Sequence, residues 1–146
     1  MTTVSDLEVA AVRAFLSDDQ EERRRLHQQM DPNSQAGYAA LIAGACIEAV
    51  DRRFGKDSTD ADIIEWVGQV RARSEETGDT LDPVVAERVV KTVLGRDSLS
   101  DLDDSTVIQC QVMVTAAIVG EKQLDASQID AFLSRARMIA DHMLNA

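Results

Sequence analysis

The stretch from Asn33 to Phe54, NSQAGYAALIAGACIEAVDRRF, constrains the fold more than any other part of the chain, because it is apolar on most sides. Counted from Tyr38, one helical face is formed by the positions +3, +4, +7, +8, +11, +12 and +16, which are Leu41, Ile42, Ala45, Cys46, Ala49, Val50 and Phe54. The opposite side is also uncharged until Glu48. This pattern predicts a helix that is surrounded by other helices in the core.

The same stretch is not predicted to cross a membrane. Its uncharged run ends at Ile47 and is shorter than the roughly 20 apolar residues that a transmembrane helix needs. Gly37, Ala40 and Gly44 are small enough to let a neighbouring backbone approach closely, and we expect Gly68 to do the same in a later helix. The stretch is therefore predicted to be a buried core helix.

The composition favours helices and a single domain. A chain of 146 residues fits one domain and can bury about two-thirds of its unfolded surface. Aromatic residues make up only 3% of the chain and there are two prolines, so the core is built mainly from small and aliphatic residues. We predict an all-α fold for residues 1–146, a compact orthogonal bundle of five to six helices. Residues 1–31 are a candidate for a loosely docked N-terminal helical arm.

Capping signals mark the helices of the N-terminal part. Ser5 is expected to cap a first helix over Asp6–Leu16. Ser17 with Gln20 then forms the capping-box pattern that opens a second, mostly polar helix. Asp31-Pro32 predicts a break followed by the start of the core helix, since proline is favoured in a first helical turn and disfavours helix just before it.

A further helix is predicted after the core helix ends at Gly55. Thr59 and Asp62 form its capping box, and it is expected to run to about residue 76, where Gly78 closes it. Four aliphatic residues give this helix an inward stripe: Ile63, Ile64, Val67 and Val70.

Two more helices begin with an aspartate cap. Asp82-Pro83 starts a helix that Gly95 ends, and Asp125 with Gln128 caps the final helix. The final helix has the clearest amphipathic face, made by Ile129, Phe132, Leu133, Ala136, Ile139, Ala140, Met143 and Leu144. Residues of the two helices match at an offset of 43, which indicates either two similar helical hairpins or two unrelated amphipathic hairpins of equal length.

Residues 104–119 fit two secondary structures. Ile108, Cys110, Val112 and Val114 alternate with Gln109, Gln111 and Met113, as they would in a strand. However, the sequence offers no second strand to pair with them. We therefore predict a helix, central to the fold together with the helix at 33–54.

A family resemblance is found in the segments ADIIEWVGQVRAR and LDPVVAERVVKTVLG, together with the acidic connection and the second helix that begins with Leu-Asp. They resemble a group of uncharacterised small all-helical proteins of actinobacteria, over roughly residues 36–144 of the chain. The resemblance implies a helical fold. Because that group has no assigned activity, the resemblance implies no functional residue.

The charge excludes some partner classes. The net charge of −11 argues against nucleic acid or an anionic membrane as the partner, because phosphate binding depends on clustered lysine and arginine. A basic protein partner is compatible with the charge.

Cys46 and Cys110 lie among aliphatic residues and are expected to be free thiols rather than a disulfide. The N-terminal residues lack the features of a signal peptide, so we expect a cytoplasmic protein.

No catalytic, metal or cofactor motif is found in the sequence. Neither His27 nor His142 has the Glu three residues earlier that a di-iron helical bundle uses, and the cysteines and histidines are too scattered for zinc. No glycine-rich phosphate loop exists. We therefore expect no cofactor, and the interpretation leans away from an enzyme.

Five residues are candidates for binding a partner. Trp66 is the only tryptophan, and tryptophan is enriched at interface hot spots, although core packing is the alternative. The connection between two helices is acidic, with Asp97, Asp101, Asp103 and Asp104. The function hypothesis is a non-enzymatic helical interaction or regulatory protein that self-associates, as a homodimer, and binds another protein. The alternative is a small-ligand binder or enzyme with a cavity between helices, lined by Cys46, Cys110 or Tyr38.

Overall fold

The computed structural model describes residues 3–17, 19–29, 34–73 and 75–145, and in these ranges the chain forms eight helices and no strand. The predicted all-helical class is confirmed, and the number of helices exceeds the predicted five to six. Asp31-Pro32 and Asn33 lie outside the described residues. The helices are α1 (Asp6–Leu16), α2 (Gln20–Gln29), α3 (Ser34–Arg53), α4 (Asp60–Ala72), α5 (Glu75–Thr80), α6 (Pro83–Val93), α7 (Asp104–Lys122) and α8 (Ala126–Leu144).

The predicted helix from residue 59 to about 76 is divided into α4 and α5. The segment from Arg71 to Thr80 is almost entirely polar, so no inward apolar stripe continues beyond Val70. The Arg71 side chain donates hydrogen bonds to the carbonyl oxygens of Gly78, at 2.7 Å, and Leu81, at 2.9 Å. These bonds satisfy acceptors at the end of α5, where helix carbonyls lack partners within the helix. Gly78 therefore lies inside α5 rather than after a longer helix.

Most predicted caps are confirmed, with one exception. Capping boxes form at Ser5, Thr59 and Asp125, and the Asp82 side chain caps α6. At α2, however, the backbone N–H of Glu22 donates to the Asp19 carboxylate at 3.1 Å. Asp19 therefore directly precedes α2, which begins at Gln20. Ser17 is instead the C-terminal cap of α1. The prediction of a box at Ser17 was therefore wrong.

The chain divides into two compact units, one made of residues up to 48 and from 119 onwards, the other of residues 49–118. We call them the terminal unit and the middle unit. In the terminal unit, α1 contacts α2 and α8. Its buried apolar residues are Val4, Ala11, Val12, Ala14, Leu26, Ala40, Leu41, Ile42, Ala45, Cys46, Val119, Ile129, Phe132, Leu133, Ala136 and Ala140.

Gly44 sets the packing of α3 in the terminal unit. A Cβ atom built at Gly44 would lie 2.5 Å from the carbonyl oxygen of Ala136 and 3.2 Å from the nitrogen of Ala140. The backbone of α8 therefore occupies the space that any other side chain would need. Four residues further along α3, the buried Glu48 accepts a hydrogen bond of 2.9 Å from Nε of Arg135. The predicted role of Gly44 in close packing is confirmed.

Val4, which lies just before α1, is attached to α8. The backbone N–H of Val4 donates to the Asp141 carboxylate at 2.7 Å. Arg137 donates to the Val4 carbonyl at 2.6 Å and to the Asp6 carboxylate at 2.9 Å. Val4 itself is fully buried, so the start of the predicted N-terminal arm contributes to the core of the terminal unit.

In the middle unit, α4 contacts α5 and α6. Its buried apolar residues are Ala49, Val50, Phe54, Ile63, Trp66, Val67, Val70, Leu81, Ala86, Val89, Val90, Cys110, Val114 and Ile118. The last three lie four residues apart on α7, so helical spacing prevails over the strand-like alternation, and the predicted helix at 104–119 is confirmed. None of the helices in the described ranges is both long enough and apolar enough to cross a membrane.

Candidate interaction surfaces and clefts

The acidic connection between α6 and α7 is bound by a cation of its own chain. Arg88, on α6, donates to both carboxylate oxygens of Asp101, at 2.7 and 3.1 Å, and to the carbonyl oxygen of Ser98 at 2.6 Å. Its Nε lies 3.4 Å from the Asp97 carboxylate. These hydrogen bonds lower the pKa of Asp101 and raise that of Arg88. Two of the acids proposed to attract a basic partner are therefore already paired.

The other two acids of the connection lie at the start of α7. The Asp103 carboxylate accepts hydrogen bonds from the hydroxyl of Thr106, at 2.6 Å, and from its backbone N–H, at 3.2 Å. These bonds lower the pKa of Asp103. Asp104 is exposed at the first position of α7, where the helix dipole favours a negative charge. Both acids thus have a local role at the start of this helix.

Trp66 is part of the core of the middle unit. Its side chain is only 1% exposed, and its ring meets Phe54 edge to face, with 5.4 Å between centroids and planes at 89°. Aromatic pairs favour this geometry. The ring is thus used in packing, the alternative that the sequence left open, and it does not present an anchor on the surface.

The burial of Trp66 also explains why the predicted inward stripe of α4 is shifted. Residues 64 and 66 are separated by about 200° around a helix, so both cannot face the same core. With Trp66, Ile63, Val67 and Val70 buried, Ile64 is turned outward and is 51% exposed. The prediction that Ile64 faces inward was wrong.

The outward face of α4 is an exposed stripe without charged side chains, flanked on the same helix by the exposed residues Glu65 and Gln69. We define it as Ala61, Ile64, Gly68 and Ala72, which are all exposed and separated by three, four and four residues. A Cβ atom built at Gly68 would meet nothing within 4 Å, so the predicted close packing at Gly68 does not occur among the residues that the structure describes. The sequence contains this spacing, but the inward stripe drawn through Ile64 concealed it.

A polar cleft of about 250 Å³ lies in the middle unit, beside Trp66. Its lining carries charges of both signs, from Arg53 and from Asp62 and Glu65. Its volume is below the roughly 300–1,000 Å³ of typical small-molecule pockets. The lining residues are Arg53, Phe54, Ser58, Asp62, Glu65, Trp66 and Gln69.

Cys110 lines a second, smaller cleft of about 50 Å³ in the same unit, together with Met113 and Leu81. Burial and the nearby negative charge of Asp82 raise the pKa of the Cys110 thiol to about 12. Because the thiolate is the nucleophilic form, this thiol is poorly suited to nucleophilic catalysis at neutral pH. Cys46 is also buried, and it is not part of a disulfide.

The titratable side chains do not assemble into a metal site in the part of the chain that the structure describes, since no group of three His, Cys, Asp or Glu is close enough.

His27 lies against Tyr38, with ring centroids 5.4 Å apart. Loss of hydration, followed by the charge of Arg23, lowers the pKa of His27. The fit of His27 against Tyr38 is that of a packing contact.

We compared the chain with protein-family models, with curated proteins and with solved structures, and found no match.

Proposed function

We propose that the chain is a non-enzymatic helical interaction protein of the cytoplasm, which acts in regulation by binding another protein chain through the outward face of α4. The single observation that supports this proposal most is the exposure of Ile64 beside Gly68. An apolar side chain next to an open position allows a second backbone to approach closely and bury both. The other large exposed apolar residues described, Val84, Met138 and Met143, lie on other helices, and scattered apolar residues of this kind are normal on a surface.

The acidic connection supports the proposal less well than the face of α4. A basic partner that bound Asp97 or Asp101 would have to displace Arg88, which is held by several hydrogen bonds. The face of α4 requires no such exchange, because Ala61, Ile64 and Gly68 have no polar side-chain groups to desolvate. For this reason the surface that we propose for partner binding is the outward face of α4, and not the acidic connection that the sequence indicated.

A pull-down with matched glycine variants tests this proposal. The tagged wild-type chain is expected to retain one protein in stoichiometric amount from its native lysate. Gly68→Gln fills the open position and should abolish retention. Gly120→Gln is the control, because Gly120 is also exposed within a helix and open to a new side chain. Equal retention by all three chains, or retention of nothing by the wild type, would rule out this use of α4.

A small polar ligand in the cleft beside Trp66 is the second candidate function. Its support is that Arg53, Asp62 and Glu65 line the same cleft, which would suit a ligand carrying both a positive and a negative group. A thermal-shift screen of zwitterionic metabolites, repeated with Glu65→Gln, tests it. A ligand that stabilises the wild type and not the variant would support this candidate, and a screen without any stabilising compound would remove it.

A further inference from the structure

The cleft beside Cys110 is too small to admit anything much larger than water. Its volume is about 50 Å³. One water molecule takes up roughly 30 Å³ in the liquid, and typical small-molecule pockets measure roughly 300–1,000 Å³. Cys110 itself is only 6% exposed. A larger molecule therefore reaches the Cys110 sulfur only after one wall of the cleft has moved.

The walls of this cleft come from three stretches of the chain. Two of them are α6 and α7, and each of these helices buries at least three apolar residues. The third wall is residues 80–82, which follow directly on the body of α5. Leu81 is the only residue of 75–82 with a large apolar side chain, and it is buried. The third wall is thus the one that the hydrophobic core holds least firmly.

The side chain of Arg71 holds this third wall in place. Its Nη2 donates to the carbonyl oxygen of Gly78 at 2.7 Å, and its Nε donates to that of Leu81 at 2.9 Å. One guanidinium group at the end of α4 therefore bridges two points of the segment. Hydrogen bonds from a charged donor are stronger than those between neutral groups. Arg71 thus supplies the attachment that the polar sequence of α5 does not.

A close backbone contact draws the same segment towards α4. A Cβ atom built at Gly78 would lie 3.1 Å from the carbonyl oxygen of Arg71, which is a tight contact for a Cβ atom. The absence of a side chain at Gly78 therefore lets the backbone of α5 lie beside the end of α4. This contact is made by the backbone of Arg71, so it adds to the hydrogen bonds from its side chain.

The position of the segment also affects the Cys110 thiol. Burial, followed by the charge of Asp82, raises the pKa of this thiol to about 12. Residues 80–82 supply Asp82 and part of the burial, because they line the cleft. Movement of these residues away from α7 should therefore lower the thiol pKa towards its ordinary value. More of the thiol would then be thiolate, which is the reactive form.

We propose that residues 75–82 form a strap, which Arg71 holds closed over the Cys110 cleft and whose release gives small thiol-reactive molecules access to Cys110. The strap is a conformational device within the middle unit. It goes beyond the proposed function, because it involves no partner at the outward face of α4. Arg71 is a positioning residue here, since it acts on Cys110 only through the strap.

Alkylation by iodoacetamide under native conditions tests the strap. The Cys110 thiolate displaces iodide from the reagent and the thiol proton passes to the solvent, so peptide mass spectrometry follows Cys110 separately from Cys46. Wild-type Cys110 should stay unmodified for as long as the urea-unfolded chain takes to react completely. Arg71→Gln removes both charged hydrogen bonds and should raise the rate by about tenfold or more. An unchanged rate in folded Arg71→Gln would overturn the strap.

Two further variants make this test specific. Arg71→Lys keeps the positive charge but cannot bridge both carbonyls as a guanidinium does, so its rate should lie between those of the wild type and Arg71→Gln. Arg88→Gln is the matched control, because Arg88 also binds a backbone carbonyl of the middle unit, that of Ser98 in the acidic connection. Its Cys110 should react as slowly as in the wild type. Equal increases in Arg88→Gln and Arg71→Gln would show that general destabilisation admits the reagent, and would overturn the proposal.

Hydrogen exchange of the wild type decides the matter without any variant. The amides of Asp79 and Thr80 should exchange through a local opening that urea below the unfolding transition hardly accelerates. Amides in the middle of α4 and α6 should instead follow global unfolding. Exchange of the strap amides only together with those of α4 and α6 would overturn the proposal, because the strap would then not open by itself.

Discussion

Replacement of Gly44 by alanine should destabilise the terminal unit, because the methyl group has no room. Its Cβ would lie 2.5 Å from the carbonyl oxygen of Ala136. Since non-bonded heavy atoms normally sit about 3.5 Å apart, α3 and α8 have to separate by about 1 Å at this point. The obstacle is backbone, which cannot rotate away as a flexible side chain would.

The size of the loss follows from two opposing effects. Overpacking a well-packed core costs about 1–3 kcal/mol, and the upper end applies to Gly44→Ala because the opposing atoms belong to a helix backbone. The better helix propensity of alanine returns about 1 kcal/mol. The expected net loss is about 2 kcal/mol in the free energy of unfolding. At a sensitivity of roughly 4 °C per kcal/mol, Tm falls by about 8 °C.

Urea and thermal unfolding, followed by circular dichroism at the helical minimum, measure this loss. Gly68→Ala is the matched control, since it is the same substitution in a helix interior but with open space around it. It should stabilise the protein by about 0.5–1 kcal/mol. Opposite signs for the two variants are therefore expected. A Gly44→Ala variant as stable as the wild type would refute the packing assigned to α3 and α8.

Three further predictions concern the middle unit. Cys110, whose pKa is raised to about 12, should not react with thiol reagents at mildly alkaline pH until urea unfolds the protein, and rapid labelling of the folded protein would contradict its burial. Arg88→Gln should lower stability at neutral pH by freeing the acidic connection. The pKa of Asp101 is lower in the folded than in the unfolded state. The greater stability of the wild type over Arg88→Gln should therefore be present above about pH 4 and disappear as pH falls through the lowered pKa. A stability difference that stays constant in urea titrations across pH would argue against the ion pair. Trp66 fluorescence should resist quenching by iodide in the native state, and strong quenching would contradict its place in the core.

Local signals in the sequence predicted the helices well because they act over a few residues. The cap at Ser5 and the proline after Asp82 fix helix starts by hydrogen bonds and backbone angles that depend on neighbours alone. The long apolar stretch likewise predicted α3, and its small residue Gly44 predicted a close helix contact. The separation of α4 from α5 was missed because it depends on Arg71 reaching carbonyls several residues away.

The candidate surface could not be predicted because it depends on which face of α4 the core selects. A stripe through Ile63, Ile64, Val67 and Val70 is as regular in sequence as one through Trp66. The choice is made by packing, and burial of the larger tryptophan ring beside Phe54 turned Ile64 outward. In the same way, the acidic residues after α6 looked available until the structure placed Arg88 among them.

Site-specific photo-cross-linking in the native cell tests the central claim, that the outward face of α4 binds a protein chain, most directly. A photoreactive amino acid at position 64 should link the chain to the protein that it binds, with the cross-link on this chain mapping to α4. The same amino acid at position 120, which is equally open, should give no such product. Absence of any product at position 64, or equal products at both positions, would contradict the account.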